Sequence, residues 1–281
     1  MQHGITIAKN AYHVFWLNIN MDFDLISDLH IDQWPSDQKL NFKGLGTSLT
    51  CVVAGDVSQD LQTTKEFLYQ LADNYKQVLF VDGNHEHKRD YSDIVANCEW
   101  LENQLSRKRN ISYLWDSACI FGSTAIVGTN GWWSFDYSEP EVSRLMQIDA
   151  FCDTEGYSSS VAVKIWDEAV ENSEFLYNIV NDFNKNEMIE EIVVITHTVP
   201  RKELVVTMPH YSICDLSKMY NSHMLEVLSA DTNNKITTWC FGHNHAIGCD
   251  KTLDGIRYIS HPRGRPSDNL FPIYYPKLVT L

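Results

Sequence analysis

The chain has 281 residues, 44% of them hydrophobic and 21% charged, the make-up of a globular protein with one large domain or two small ones. Lys and Arg number 22 against 37 Asp and Glu, giving a net charge of −15. Such acidity, with no basic stripe, argues against broad adhesion to long nucleic acid or anionic membranes, but it does not exclude a phosphate substrate, because bound dications invert the local potential. No apolar run approaches the ~20 residues of a membrane span. The seven cysteines are scattered without a Cys-x-x-Cys pair, the pattern of reduced thiols in a cytoplasmic protein.

Residues 1–20 precede the first strong strand signal and read as an appendage, either an extra element on a sheet edge or a product of start-site choice. The segment 12–17 is too short and too polar-interrupted for a signal core. From Met21 onward, short apolar runs alternate with helical patterns, and each strand ends in a polar cluster. The first, 23–27, runs into Asp28-Leu29-His30, and the second, 51–54, into Gly55-Asp56. A helix is predicted over 60–75, with Leu61, Phe67, Leu68 and Leu71 as its apolar face. The third strand, 78–81, leads to Gly83-Asn84-His85-Glu86; His87, Lys88 and Arg89 beyond it read as a solvated loop, with substrate contacts as the alternative.

A second helix is predicted over 91–107, with Ile94, Val95, Cys98, Leu101 and Leu105 on one side, followed by short strands at 111–114, 118–121 and 125–128. Residues 130–186 then form a helical insertion, strongest from Val161, where Ile165, Ala169, Leu176, Ile179, Val180 and Phe183 recur at helical spacing. Ser158, Ser159 and Ser160 supply its N-cap. A fourth strand, 192–196, ends at His197, and a fifth, 238–241, at Gly242-His243-Asn244-His245. The remainder is strand-rich, with a hairpin signal at Asp254-Gly255. With no repeat or linker, the economical organisation is one domain over 21–281 carrying the 130–186 insertion as a segment for substrate choice.

Five strand ends bearing carboxylate, imidazole and amide can converge at one rim of a sheet, where α/β folds place their sites. That many nitrogen and oxygen donors suit two divalent metal ions, and the physical reading is a dinuclear metallohydrolase.

The ordered set Asp28-x-His30, Gly55-Asp56, Gly83-Asn84-His85-Glu86, His197 and Gly242-His243-x-His245 resembles the calcineurin-like metallophosphoesterase superfamily from about Met21 to Pro266. Thr196-His197-Thr198-Val199-Pro200 and His261-Pro262-Arg263-Gly264 are similar to its bacterial and phage-type members, which usually have a second His at the place of Thr198, Asn at that of His261 and Pro at that of Asp82. The resemblance implies an α/β fold, a four-layer α/β/β/α sandwich with two mixed β-sheets. It also implies that Asp28, His30, Asp56 and His245 hold one metal and that Asp56, Asn84, His197 and His243 hold the other, with Asp56 bridging. Mixed nitrogen and oxygen ligation favours Mn, Fe, Zn, Co or Ni over Ca. Asp82 or Thr198 could accept the second N–H of a ligating imidazole.

The implied reaction is hydrolysis of a phosphate ester or anhydride by a metal-bridging hydroxide, with His85 catalytic but not a ligand and Glu86 structural. Arg263 is either a contact to substrate phosphate or a surface ion-pair partner. Trp132, Trp133, Phe135 and Tyr137 are either core or a wall for a base, and Trp133 and Tyr137 are the proposed substrate contacts. The expected partner is a small phosphorylated substrate, a nucleotide being one candidate. Two alternatives stand beside this reading: a phosphodiesterase or nuclease, and a non-catalytic interaction module on the same scaffold. The protein Ser/Thr phosphatase branch shows Gly-Asp-x-Val-Asp-Arg-Gly where this chain has Gly55-Asp56-Val57-Ser58-Gln59-Asp60.

Overall fold

The computed structural model describes residues 13–15, 21–38, 40, 42–89, 91–137, 143–245, 248–268 and 273–281. In chain order its strands are β1 (His13–Phe15), β2 (Phe23–Ile26), β3 (Thr50–Ala54), β4 (Gln77–Val81), β5 (Ile111–Tyr113), β6 (Ser117–Phe121), β7 (Thr124–Gly128), β8 (Glu191–Ile195), β9 (Ile236–Phe241), β10 (Asp250–Leu253), β11 (Ile256–Ser260) and β12 (Lys277–Val279). The helices are α1 (Leu61–Ala72), α2 (Asn84–His87), α3 (Ile94–Leu105), α4 (Arg144–Glu155), α5 (Ser159–Lys185), α6 (Ile213–Ser217) and α7 (Met224–Ala230).

The strands make a seven-stranded sheet in the order β1-β6-β7-β8-β9-β11-β10 and a five-stranded sheet in the order β12-β2-β3-β4-β5. Both are mixed: β6/β7, β10/β11 and β12/β2 pair antiparallel, and the other neighbours run parallel. The apolar runs lack a polar alternation because each inner strand is covered on both faces. Along β3, Val52 and Ala54 join the layer between the sheets, whereas Cys51 and Val53 face the helices outside. In β7, Ile126 turns inward and Ala125 and Val127 turn outward.

Phe67, Leu68 and Leu71 of α1 and Cys98, Leu101 and Leu105 of α3 cover the outer face of the smaller sheet. Leu176, Ile179 and Val180 of α5, with Val227 of α7, cover that of the larger. The result is the four-layer α/β/β/α sandwich. Asp60 caps α1 by accepting from the Thr63 amide at 2.9 Å, which fixes where the helix departs from the β3 loop. The long α5 is the crossover between parallel β7 and β8; its first half, through Ile165 and Ala169, packs in the other outer core. Of residues 1–20, His13–Phe15 pair parallel with β6 on the sheet edge, and the rest of that expectation lies outside the described residues.

Ile126 is fully buried between the sheets, so its truncation leaves a cavity that two packed sheets cannot easily close. Ile126→Ala should lower unfolding free energy in urea by about 2–5 kcal/mol. A loss below about 1 kcal/mol would mean that the intersheet layer collapses around the missing methyls.

Candidate metal centre

Every donor anticipated from the sequence lies just beyond a strand. Asp28 and His30 follow β2, Asp56 follows β3, Asn84 and His85 open α2 after β4, His197 follows β8, and His243 and His245 follow β9. The loops are laced together by main-chain bonds: Asp28 N–H to Gly55 O (3.0 Å), His30 N–H to Asp56 O (3.1 Å) and Gly242 N–H to His197 O (2.9 Å). Asp28, His30, Asp56 and His243 all sit in the left-handed region, at φ of 51, 42, 56 and 70°. Such backbone costs about 1–3 kcal/mol per residue and persists only where surrounding bonds over-determine it. The motif glycines are needed for clearance: a Cβ on Gly55 (φ +81°) would lie 2.4 Å from His197 Nδ1, and one on Gly83 would lie 2.3 Å from Asp56 Oδ1.

Two groups of donors result. Asp28, His30, Asp56 and His245 offer ligand atoms within 4.8 Å of one another, as do Asp56, His197 and His243. Asn84 Oδ1 completes the second group, 2.9 Å from His243 Nδ1 and 3.2 Å from His197 Nε2. Asp56 belongs to both. Its Oδ1 accepts the His85 amide at 2.7 Å, which turns Oδ2 toward His197 Nε2 (3.3 Å) and His30 Nε2 (3.8 Å). His85 is brought to the same place without joining either group; its Nε2 lies 3.9 Å from Asp56 Oδ2.

Behind the donors, the far side of three imidazoles is held by an acceptor. His197 Nδ1 meets Ala54 O (2.9 Å), His243 Nε2 meets Lys218 O (2.7 Å) and His245 Nδ1 meets Asp268 Oδ2 (2.8 Å). These are not the acceptors expected. Asp82 instead binds His87 (2.7 Å), Tyr113 (2.7 Å) and Asn130 (2.8 Å), and the Thr198 hydroxyl is buried without a partner among the described residues. Two of the true acceptors are main-chain carbonyls, which residue type cannot reveal. Glu86 is structural, as expected: its carboxylate accepts the amides of Asp56, Val57, Ser58 and Gly83 and so clamps the β3 and β4 loops together.

The donor set fits divalent metal. Asp28 Oδ2 is buried with no hydrogen-bond donor among the described residues, and His30 Nε2 and His245 Nε2 face each other at 3.0 Å beside it. Burial works against charge throughout, yet the Asp56 carboxylate raises His197 to about 10, and Asp268 and Asp28 raise His245 to about 9. Burial pushes His85 down to about 4, His243 down to about 3 and His30 well below the usual range. Burial also opposes ionisation of Asp56 and Asp28, but the histidine charges hold both carboxyls below their ordinary value. Without metal, two imidazolium charges thus balance two carboxylates. Dications would take over that role and displace the protons.

A cavity of about 450 Å³ opens beside the donors. Asn84, His85, His243 and His245 form its floor; Tyr91, Trp133, Phe151, Met208 and Met219 give apolar wall, and Lys88, Lys218 and Arg265 give positive charge. Tyr91 Oη lies 3.5 Å from Asn84 Nδ2, which leaves Oδ1 turned to the imidazoles. Trp133 is buried, lines the cavity and stacks on His243, with centroids 5.8 Å apart and planes at 19°. Tyr137 does not reach the cavity; it packs edge-on to Tyr220 (5.7 Å) because its loop has turned toward the larger sheet's outer core. Arg263 does not reach it either: its guanidinium lies 3.8 Å from the Trp34 ring centroid and donates to Gln38 O (2.7 Å). His87 is fully buried and Lys88 lines the cavity, so only Arg89 of that triplet fits the solvated loop expected there. Arg265, Asp268, Lys218 and Phe151 escaped sequence reading because they come from loops and a helix with no motif.

The chain belongs to the calcineurin-like phosphoesterase family, whose sequence model matches residues 21–247. It is accordingly a metal-dependent phosphoester hydrolase, and the two buried Asp/His groups fit a dinuclear divalent centre. The fold is similar to the crystal structure of the phosphopantetheinyl hydrolase PptH from Mycobacterium tuberculosis, at 17% identity and a TM-score of 0.67, over 93% of this chain and 97% of that one. It is also similar to a dimetal phosphatase from Danio rerio, at 14% identity and a TM-score of 0.52, over 93% of each chain. No curated protein sequence matches the chain. Among the described residues, no helix is long and apolar enough to cross a membrane.

Asp268→Asn weakens the acceptor behind His245 without emptying the space. Metal affinity at that group should fall about 10–100-fold by calorimetric titration; unchanged affinity would remove Asp268 from the centre. A pH dependence follows from the paired charges. His197 and His245 are raised above the usual ~6.5, so their contribution to the metal-free fold is complete below that pH. It is lost as pH rises through about 9 to about 10. Asp28 and Asp56 act in the opposite sense, losing their contribution on acidification through their lowered values. The thermal midpoint of metal-free protein should therefore fall on the alkaline side and recover when Mn is added. An alkaline limb that Mn leaves unchanged would contradict the charge balance.

Proposed function

We propose that the protein is a dinuclear metallohydrolase of small phosphorylated substrates, with the cavity receiving the phosphoryl group at its floor and the leaving group along its aromatic wall. One observation carries this reading: Asp56 Oδ2 lies between two donor groups at the bottom of a cavity that also presents His85. Asp28, His30, Asp56 and His245 would hold one ion, and Asp56, Asn84, His197 and His243 the other; Mn, Fe, Zn, Co and Ni all suit the donors. When bound, two such ions supply an activated water and neutralise phosphoryl charge.

His85 is the proton donor, or the stabiliser of developing charge, at the leaving oxygen. Its main chain is fixed by the bond to Asp56 Oδ1, and its ring is flanked by Gln59 (3.2 Å from Nδ1) and Arg265 (2.9 Å from Nε2). Trp133 packs behind His243 and walls the cavity, so it sets the shape available to a leaving group. The segment 130–186, which supplies Trp133, Phe151 and Glu155 to the walls, is the specificity segment of a catalytic domain over 21–281. Residues 1–20 are an appendage to that domain, and seven unpaired thiols support residence in the cytoplasm. The cavity's size favours a small ester over a long nucleic acid, and nucleotides and phosphopantetheinyl esters both belong in a substrate panel.

His85→Asn tests the assignment. It should retain metal and lower turnover by about 10²–10⁴-fold, most for alkyl or ribosyl leaving groups and least for nitrophenol. Equal losses across leaving groups would favour charge stabilisation of the phosphoryl oxygens over proton donation. Loss of metal would make His85 a structural support and remove the acid from this reading. Trp133→Ala should change KM across the panel while a small chromogenic ester is still hydrolysed; unchanged kinetics on every substrate would make Trp133 core alone.

A further inference from the structure

The positive charges around the cavity are not equivalent. Lys218 and Lys88 share the Glu155 carboxylate, and Arg89 pairs with Asp60 at 3.1 Å. Arg263 has no carboxylate partner among the described residues, but it is buried on Trp34 and outside the cavity. Arg265 lines the cavity, and no carboxylate oxygen among the described residues lies within 4.0 Å of its guanidinium. Its neighbour Asp268 feels the Arg265 charge but does not pair with the guanidinium: its Oδ2 turns instead to His245 Nδ1 (2.8 Å) and to the main-chain N–H of Arg265 (2.7 Å). In a chain with 37 acidic and 22 basic residues, a cavity-lining guanidinium with no carboxylate of the described residues in direct contact has room for an anion from outside.

The position of that guanidinium is built. Gly264 N–H donates to Asp28 O (3.0 Å), Arg263 N–H donates to Ser27 O (3.0 Å), and Trp34 Nε1–H donates to Gly264 O (3.1 Å). Arg265 is thereby tied to the Asp28 loop on one side and, through Asp268, to His245 on the other. Its Nη2–H donates to His85 Nε2 at 2.9 Å, and its Nε–H is buried without an acceptor among the described residues. Because arginine has no acceptor, His85 Nε2 must present a lone pair in this arrangement. It is the same nitrogen that lies 3.9 Å from Asp56 Oδ2, so guanidinium and imidazole meet at the edge of the donor cluster.

We propose that Arg265 is a catalytic residue that grips the phosphoryl group of the substrate, its guanidinium donating to phosphoryl oxygens beside His85; the proposal rests on the phosphoesterase reading above. A charged phosphoryl oxygen is a stronger acceptor than an imidazole nitrogen, and the planar fork can give two parallel N–H bonds to it. Taking up the anion moves Nη2–H from His85 to phosphate and vacates the His85 Nε2 lone pair, which can then take from water the proton that His85 gives to the leaving oxygen. Sequence reading offered Arg263, two residues earlier, as either a phosphate contact or a surface ion-pair partner; its side chain is buried and turns the other way, onto Trp34.

The test uses Arg265→Ala and Arg265→Lys in metal-loaded protein, with inorganic phosphate as the binding probe, metal content as the integrity check and ester hydrolysis as the second readout. Arg265→Ala should keep its metal and its melting temperature, and bind inorganic phosphate about 10–100-fold more weakly. Arg265→Lys should recover part of that affinity, and added guanidinium should restore part of the Arg265→Ala turnover. Phosphate affinity within about twofold of the parent protein would overturn the proposal and leave Arg265 as a prop for His85. Loss of metal from both variants would also overturn it, making the residue part of the His245 support. A parent protein that binds no phosphate overturns it as well. A parent protein that binds phosphate through Arg265 but hydrolyses no ester in the panel would instead sink the phosphoesterase reading and leave the anion site standing.

Discussion

Everything at the centre depends on how one carboxylate is held. Asp56 spends Oδ1 on the His85 amide and leaves Oδ2 facing imidazoles from both sheets. That single orientation joins the β3 and β4 loops of the smaller sheet to the β8 loop of the larger one. Glu86 secures it from behind by accepting the Asp56, Val57, Ser58 and Gly83 amides. Both donor groups and the catalytic-type His85 are placed by the same few bonds, so the loops form one rigid unit.

The arrangement is costly for the protein alone. Four donor residues carry left-handed backbone, and carboxylates and imidazoles crowd together at the largely buried floor of the cavity. Metal-free, the charges balance only because His197 and His245 keep protons that Asp56 and Asp28 attract. The sandwich supplies what offsets these terms: an apolar layer between the sheets and two outer cores beneath the helices. The site gathers at the strand ends, where main-chain groups are already available for lacing loops together.

The sequence was legible where chemistry and period coincide. Runs such as 51–54 and 192–195 announce strands covered on both sides, and each leads into donors whose type speaks for itself: Asp56, His197, His243. Helix α1 and the long α5 were readable from the spacing of Phe67, Leu68 and Leu71 and of Ile165, Ala169 and Leu176. Period alone could not separate two stacked sheets from one, because that depends on which alternate residue, Val52 or Val53, faces which layer. The supports were hidden for another reason. Ala54 O and Lys218 O are main-chain atoms, and Asp268 reaches His245 only after the chain has passed through β10 and β11. Arg263 and Arg265 differ by two positions and face different ways, a distinction set by packing on Trp34.

The cavity is the part of the molecule where charge, shape and chemistry meet. Its floor belongs to the donors, its aromatic wall comes largely from the segment between β7 and β8, and its positive rim comes from α2, α6 and the loop after β11. The central claim, that Asp56 is shared by two metal ions, is most directly tested by counting metal. Protein loaded with Mn or Zn and freed of excess should hold two ions per chain by elemental analysis, and Asp56→Ala should lose or misplace both. One ion or none in the parent protein across several metals, or two ions retained with full affinity by Asp56→Ala, would contradict it.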